Sequence, residues 1–260
     1  MDIIHVIKIG GAVVNYAAQL QGFLKTLAQQ QTTFILVHGG GRKVNEWLEK
    51  IGQKPNMVDG RRITDGQTLE LAVMNYAGLL NKQIVARLQS HGRTALGLSG
   101  ADLGCIQASK RTHPTIDYGY VGDIKKVNGE VFTDLCHRNI VPVCCAITCD
   151  TQGQLLNTNA DTIASEVAIA VANTHQVKLW YAFEKQGVLL DVEDPSSLVP
   201  SLTKGRYSAW VAQGKIHSGM IPKLDNCFRA LDKGVSEVNI AHVEAFHNFP
   251  HQLGTNIIAS

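Results

Sequence analysis

Apolar residues along this chain come in short β-branched runs that stop at glycine and give way to helical spacing. Ile3, Ile4, Val6, Ile7 and Ile9 form the first run, which ends at Gly10-Gly11. So dense a β-branched cluster predicts a buried strand. A helix is expected over residues 16–30. Phe34-Ile35-Leu36-Val37 is a second run, broken by His38-Gly39-Gly40-Gly41, after which Val44, Leu48 and Ile51 recur at helical spacing. Strand, glycine turn and helix therefore occur twice in succession.

The rhythm continues with a long helix across 67–91 and strands at 94–98 and near 140–147. A helix over 162–174 leads into a strand at 177–181, and a helix around 224–233 into a strand at 237–240. Val121-Gly122-Asp123-Ile124 and Glu130-Val131-Phe132 flank Asn128-Gly129, a turn dipeptide that predicts a β-hairpin. Such alternation implies an α/β fold with three αβα layers, a mostly parallel central sheet between helices. No Pro-rich or Ser-rich linker divides the chain. The polar turn Asp150-Thr151-Gln152-Gly153 is the best candidate boundary, giving lobes 1–150 and 151–260 that share one continuous sheet.

Composition narrows the function classes. The 260 residues are 45% hydrophobic and 18% charged, which supplies a sizeable core and excludes a disordered chain. Twenty-four Lys plus Arg against 22 Asp plus Glu leave a formal +2, too near neutrality to hold nucleic acid by bulk charge. The six cysteines include no CxxC pair, so buried free thiols are expected rather than a disulfide or zinc framework. No segment reaches about eighteen consecutive apolar residues and the start lacks a basic n-region, so no membrane span and a cytoplasmic location are expected.

Candidate chemistry clusters at the turns. Amides exposed at a strand-to-helix glycine turn form a nest that suits phosphate or carboxylate oxygens. Gly10-Gly11 and Gly39-Gly40-Gly41 are two such turns, at the carboxyl edge where open α/β sheets bind ligands; taken singly, each is also an ordinary tight turn. Neither GxGxxG after a strand nor GxxxxGK[ST] occurs, so a nucleotide would be held in another way. Lys8, inside the first strand, either snorkels to an edge or points into the site. Asn157-Thr158-Asn159-Ala160-Asp161 precedes an amphipathic helix, where Asp161 caps the helix or joins the two asparagines in a polar clamp. Asp59-Gly60-Arg61-Arg62-Ile63-Thr64-Asp65 places arginines in a turn, as a solvated loop or as a fork for a carboxylate. Lys223 follows His217-Ser218-Gly219-Met220-Ile221-Pro222 at a helix start, where a lysine opposes the dipole.

Taken together, these residues resemble the N-acetylglutamate kinases of the amino acid kinase family. The anchors fall in the family's order nearly end to end: Lys8-Ile9-Gly10-Gly11, His38 to Gly41, Gly60-Arg61-Arg62-Ile63-Thr64, Gly97-Leu98-Ser99-Gly100, Asn157 to Asp161, and Gly219-Met220-Ile221-Pro222-Lys223. The resemblance implies the amino acid kinase fold and ATP-dependent phosphorylation of the side-chain carboxylate of an N-acylated glutamate, in arginine biosynthesis. By position it implies Lys8, Lys223 and Asp161 as catalytic residues, the lysines flanking the transferring phosphoryl group and Asp161 orienting them. Gly40, Gly41, Arg62 and Asn157 would bind the acylglutamate, Arg62 taking its α-carboxylate. Gly10 and Gly11, with Glu184, Gly187, Val188 and Leu189 and with Lys215, Ile216 and His217, would hold ATP. Mg²⁺ would bind mainly through the nucleotide phosphates, without a dedicated protein metal site. The first lobe would take the acylglutamate and dimerise, and the second would take ATP.

Two stretches depart from the family's pattern. Phe183-Glu184 stands where many relatives carry a Ser/Thr-Asp pair, and the loop Ser99 to Gly104 is unusual beside the acyl pocket. Succinyl therefore stays open beside acetyl. The resemblance also implies a homodimer without arginine feedback, because the first strand begins too near Met1 for the extra N-terminal helix of arginine-inhibited relatives. Another carboxylate or carbamate kinase and a catalytically silent metabolite sensor are the competing readings.

Overall fold

A computed structural model describes residues 3–58, 61–191, 193–216, 218–251 and 254–259. The first half contains β1 (Ile4–Ile9), α1 (Gly11–Asn15), α2 (Ala17–Gln29), β2 (Thr33–His38), α3 (Gly41–Lys50), β3 (Met57–Val58) and β4 (Arg61–Arg62). There follow α4 (Gly66–Val73), a π-helical stretch Met74–Leu80, α5 (Asn81–Ser90), β5 (Ala95–Leu98), β6 (Ile106–Lys110) and β7 (Gly122–Val127). Next come α6 (Gly129–His137), β8 (Val141–Cys145), β9 (Ile147–Cys149), β10 (Leu155–Asn157), α7 (Ala160–Ala172) and β11 (Val177–Phe183). The chain closes with β12 (Ser201–Thr203), α8 (Lys204–Ala212), α9 (Ile221–Asp232), β13 (Glu237–His242) and β14 (Thr255–Ile258).

Eight strands form the large sheet in the order β12-β14-β13-β11-β1-β2-β8-β5. Its neighbours are parallel except at β13/β14. Strand alternation divides the core between the two faces. Val6, Ile35 and Val37 face one side with Ile163 and Val167 of α7 and Leu224 and Phe228 of α9. Ile7, Ile9, Phe34 and Leu36 face the other with Phe23 and Leu24 of α2 and Ile84 and Leu88 of α5. The three-layer α/β architecture is thus the one the strand-helix alternation requires. All six cysteines are free, five of them buried. No helix of the described residues is long and apolar enough to cross a membrane.

A smaller sheet, β10-β9-β6-β7, rises beside the large one with the β3-β4 hairpin. The polar turn at Asp150 to Gly153 joins β9 to β10, which pair antiparallel. The hairpin expected around Asn128-Gly129 is not formed: Glu130-Val131-Phe132 lies in α6, with Asn128 at its N-cap. A Cβ on Gly129 would lie 2.7 Å from the Ala170 carbonyl oxygen. That glycine therefore serves the close approach of α6 to α7 rather than a β-turn, and Phe132 and Cys136 bury at helical spacing.

Candidate active site

The parallel strands bring the N-termini of α1, α3, α7 and α9 toward one edge of the large sheet. Helix N-termini carry unpaired amides and partial positive charge, so this edge favours anions. Three charged side chains meet there. Lys8 comes from the end of β1, Asp161 from the first turn of α7 and Lys223 from the first turn of α9. Lys8 Nζ lies 2.7 Å from Asp161 Oδ1, and Lys223 Nζ 2.8 Å from Asp161 Oδ2.

The cap of α7 explains why this carboxylate is free to bridge. Asn159 Oδ1 accepts from the amides of Asp161 (2.8 Å) and Thr162 (3.1 Å), so Asn159 is the cap and Asp161 is not. The lysine side chains are 11% and 12% exposed and the aspartate 20%, which shields the trio from solvent screening. Burial alone would push the Asp161 carboxyl up, but Lys223 and Lys8 hold it well below the usual carboxylate range. Burial lowers the Lys8 pKa and repulsion from Lys223 adds to it, against the opposing pull of Asp161 and Glu184. Two ammonium groups face one carboxylate, so the centre is suited to a further anion. Lys223 Nζ also sits 4.9 Å from the ring centroid of Tyr181 and 5.7 Å from that of Phe183, positions that favour a cation over the ring faces. The Tyr181 hydroxyl donates to the Asp161 carbonyl at 3.3 Å.

On one side of the trio opens a polar cleft of about 210 Å³, bounded by Gly40, Gly41, Arg62, Tyr76 and Asn157. Arg62 is 8% exposed. Its Nη2 donates to the Gly41 carbonyl at 3.0 Å, while its Nη1 is buried without a partner. A buried guanidinium nitrogen left unpaired is costly, and a ligand carboxylate in the cleft would satisfy it. Asn157 Nδ2 donates to Thr64 Oγ1 at 3.0 Å, and that hydroxyl donates to the Arg62 carbonyl at 2.9 Å. The asparagine and the arginine turn are therefore braced against each other.

The glycine turn of this cleft is held from behind. His38 Nδ1 lies 2.9 Å from the Gly39 carbonyl, which can only accept, so Nδ1 carries the proton. Nε2 then accepts from Asn81 Nδ2 at 3.1 Å. Burial brings the His38 pKa down to about 4, which keeps the ring neutral. Gly40 packs under the π-helical stretch, where a Cβ would lie 2.9 Å from Tyr76 Cδ1 and 3.0 Å from Asn75 Nδ2. Asn75 Nδ2 also donates to the Gly40 carbonyl at 3.3 Å.

Phe183, whose ring Lys223 approaches, also lines a larger, mostly apolar cleft of about 450 Å³ with Gly187, Val188, Leu189, Ile216 and Met220. Of the nucleotide-site residues expected from sequence, Gly187, Val188, Leu189 and Ile216 are brought together here. Glu184 and Lys215 are exposed and do not line it; the Glu184 charge acts on Lys8 instead. His217 lies outside the described residues. Gly10 donates its amide to the Ala182 carbonyl at 2.7 Å, and a Cβ there would lie 3.0 Å from Phe183 Cβ. Gly10 therefore stitches β1 to β11, whereas Gly11 lines the polar cleft. Tyr76, Asn75, Tyr181 and the capping role of Asn159 are site features not expected from the sequence, whereas Phe183, marked there as a departure from the family's pattern, lies beside Lys223. For Asn159 a signal existed, since Asn two residues before the first helical Asp is a preferred cap.

Comparison with known proteins agrees with this geometry. The amino acid kinase family matches residues 4–242. An acetylglutamate kinase of Bacteroides thetaiotaomicron is 47% identical over 92% of this chain and 93% of its own length. One of Cytophaga hutchinsonii is 43% identical over the full length of both. A crystal structure of a Streptococcus mutans protein, 26% identical, superposes with a TM-score of 0.82 over 99% of both chains. With two lysines bridged by one aspartate at the glycine-turn edge of such a sheet, the chain belongs to the amino acid kinase family, among its acetylglutamate kinases.

Proposed function

We propose that the chain transfers the γ-phosphoryl group of ATP to the side-chain carboxylate of N-acetyl-L-glutamate, giving N-acetylglutamyl 5-phosphate in arginine biosynthesis. The observation that carries this reading is the position of the Lys8–Asp161–Lys223 trio. Lys8 and Asp161 line a polar cleft with an unpaired buried guanidinium nitrogen, and Phe183, whose ring centroid lies 5.7 Å from Lys223 Nζ, lines an apolar cleft of about 450 Å³, volume enough for a purine.

The chemistry asks little of the protein beyond electrostatics. A carboxylate is ionised near pH 7, so the nucleophile needs no general base. What opposes the reaction is repulsion between that carboxylate and the phosphates. Lys8 and Lys223 would neutralise charge on the transferring group from its two sides, Asp161 holding both ammonium groups in register. The amides of Gly11, Gly40 and Gly41 add positive polarity at the same edge. Arg62 would take the α-carboxylate of the substrate and Asn157 its acylamino group. Gly187, Val188, Leu189 and Ile216 would enclose the adenine. Magnesium would arrive with the nucleotide and neutralise its phosphates.

On this reading residues 1–150 serve mainly the acylglutamate and residues 151–260 mainly ATP, in a cytoplasmic homodimer. Trp47, Met74 and Leu79 are 40%, 58% and 48% exposed and line one apolar groove on the first half. A second copy of the chain would cover that groove.

The test is ATP turnover by purified protein with Mg²⁺ and either N-acetylglutamate or N-succinylglutamate, with Lys223→Ala as control. Turnover with the acetyl substrate, lost in the variant, is expected. Silence with both substrates would overturn the reading, and preference for the succinyl substrate would correct its acyl group.

A further inference from the structure

At the opposite edge of the large sheet, away from both clefts, two histidines meet at the wall of a cavity. His137 is the last residue of α6, and His175 follows the C-terminus of α7. Their Nε2 atoms lie 3.2 Å apart. The cavity, about 400 Å³, is also lined by Ile4 and Thr33 at the starts of β1 and β2 and by Asn139 and Thr174. His137 is exposed and His175 half-buried, so the pair is reachable from solvent.

The spacing suits a metal. Two imidazole nitrogens bound at about 2.0 Å to one ion stand about 2.8 Å apart at a right angle and about 3.3 Å apart at the tetrahedral angle. The observed separation falls inside that interval. The other ring nitrogen of His175 is oriented as metal-bound histidines require. Its Nδ1 lies 2.8 Å from Thr174 Oγ1, and that hydroxyl donates to the Val171 carbonyl at 3.4 Å. A hydroxyl so directed can accept from Nδ1–H, the tautomer that leaves the Nε2 lone pair of His175 facing His137 and that a bound metal would select. Both histidines also stand at helix C-termini, whose partial negative charge favours a cation between them.

We propose that His137 and His175 form a binding site for a borderline divalent transition metal, Zn²⁺, Ni²⁺ or Cu²⁺, with water in the remaining coordination positions. Among the described residues no group of three or more histidine, cysteine or acidic side chains is arranged as a metal site. Two protein ligands plus water define an exchangeable site rather than a closed structural one. Mg²⁺, which prefers oxygen ligands, does not compete for it. The site ties the ends of α6 and α7 together, and α7 carries Asp161 at its far end. An ion there would brace the helix on which the catalytic carboxylate stands.

The test uses the full chain without an affinity tag, titrated calorimetrically with Zn²⁺ and separately with Cu²⁺. One equivalent bound is expected, weakened about tenfold or more by either His137→Ala or His175→Ala and abolished by the double variant. Electron paramagnetic resonance of the one-equivalent Cu²⁺ complex should show two imidazole nitrogens. All variants should keep their circular dichroism and their metal-free thermal midpoint within a few degrees. Absence of binding to the wild-type chain, or equal binding by the double variant, would overturn the proposal and leave the pair as a plain N–H···N hydrogen bond.

Discussion

The two clefts beside the lysine–aspartate–lysine trio are built by opposite means. The polar one is a lattice of directed hydrogen bonds. Arg62 is tied to Gly41, Asn157 to Thr64, Asn75 to Gly40, and His38 to the Gly39 carbonyl. The apolar one is shaped by the packing of Phe183, Val188, Leu189, Ile216 and Met220. Directed bonds discriminate strongly, because a ligand lacking the right group leaves buried polar atoms unpaired; apolar walls discriminate by shape and only weakly. On the proposed assignment the polar cleft would carry selectivity for the phosphoryl acceptor, and the apolar cleft affinity for a flat partner.

Substitutions should separate these regions in order of effect. The largest is expected at their junction. Asp161→Ala leaves two shielded ammonium groups without their counter-ion and should cost about 3 kcal/mol or more of unfolding free energy in urea titration. An unchanged midpoint would mean that the trio is not electrostatically coupled. Next, Arg62→Ala should lower kcat/KM for the acylglutamate about a hundredfold, near 3 kcal/mol, with the KM for ATP unchanged. Loss for both substrates would erase the distinction between the clefts.

A third effect separates the regions by pH. His38, behind the polar cleft, and His5, which accepts from Trp180 Nε1 at 3.0 Å, both have pKa values brought down by burial to about 4. As pH falls below about 6.5 the unfolded chain binds protons that these rings refuse, so stability should decline between pH 6.5 and 4. The decline is about 3 kcal/mol per histidine and ends below their folded pKa. His38→Gln should remove part of it in denaturation series across that range. Asp161, whose carboxyl is held down, adds its own loss only below about pH 4, so the two windows are distinct. None of the described residues lining the apolar cleft is a histidine. The smallest effect belongs there. Leu189→Ala should raise the KM for ATP about fivefold, near 1 kcal/mol, and leave that for the acylglutamate alone.

The residues legible in the sequence were those whose type is odd for their local element. Lys8 interrupts a β-branched strand, Lys223 opposes a helix dipole, and Arg62 sits in a turn before a helix. What stayed hidden depends on three-dimensional packing. Asn75 and Tyr76 reach Gly40 because the long helix widens into a π-helical stretch, a shift invisible to a 3.6-residue period. Tyr181 and Phe183 point the same way from β11; Tyr181 reads as ordinary core and Phe183 only as a departure from the family's pattern, and the start of α9 lying over them makes both partners of Lys223. Asn128-Gly129 misled because a glycine required by helix packing carries the same letters as a hairpin turn.

The proposed role of the trio is to direct phosphoryl transfer onto a carboxylate. An acyl phosphate reacts with hydroxylamine to give a hydroxamate, so the product can be trapped as it forms. Incubation with ATP, Mg²⁺, N-acetylglutamate and hydroxylamine should yield one hydroxamate per ADP, and Lys8→Ala should lower that rate at least about a hundredfold while retaining the folded midpoint. ADP released without hydroxamate, or a Lys8→Ala variant that traps product at the wild-type rate, would contradict the account.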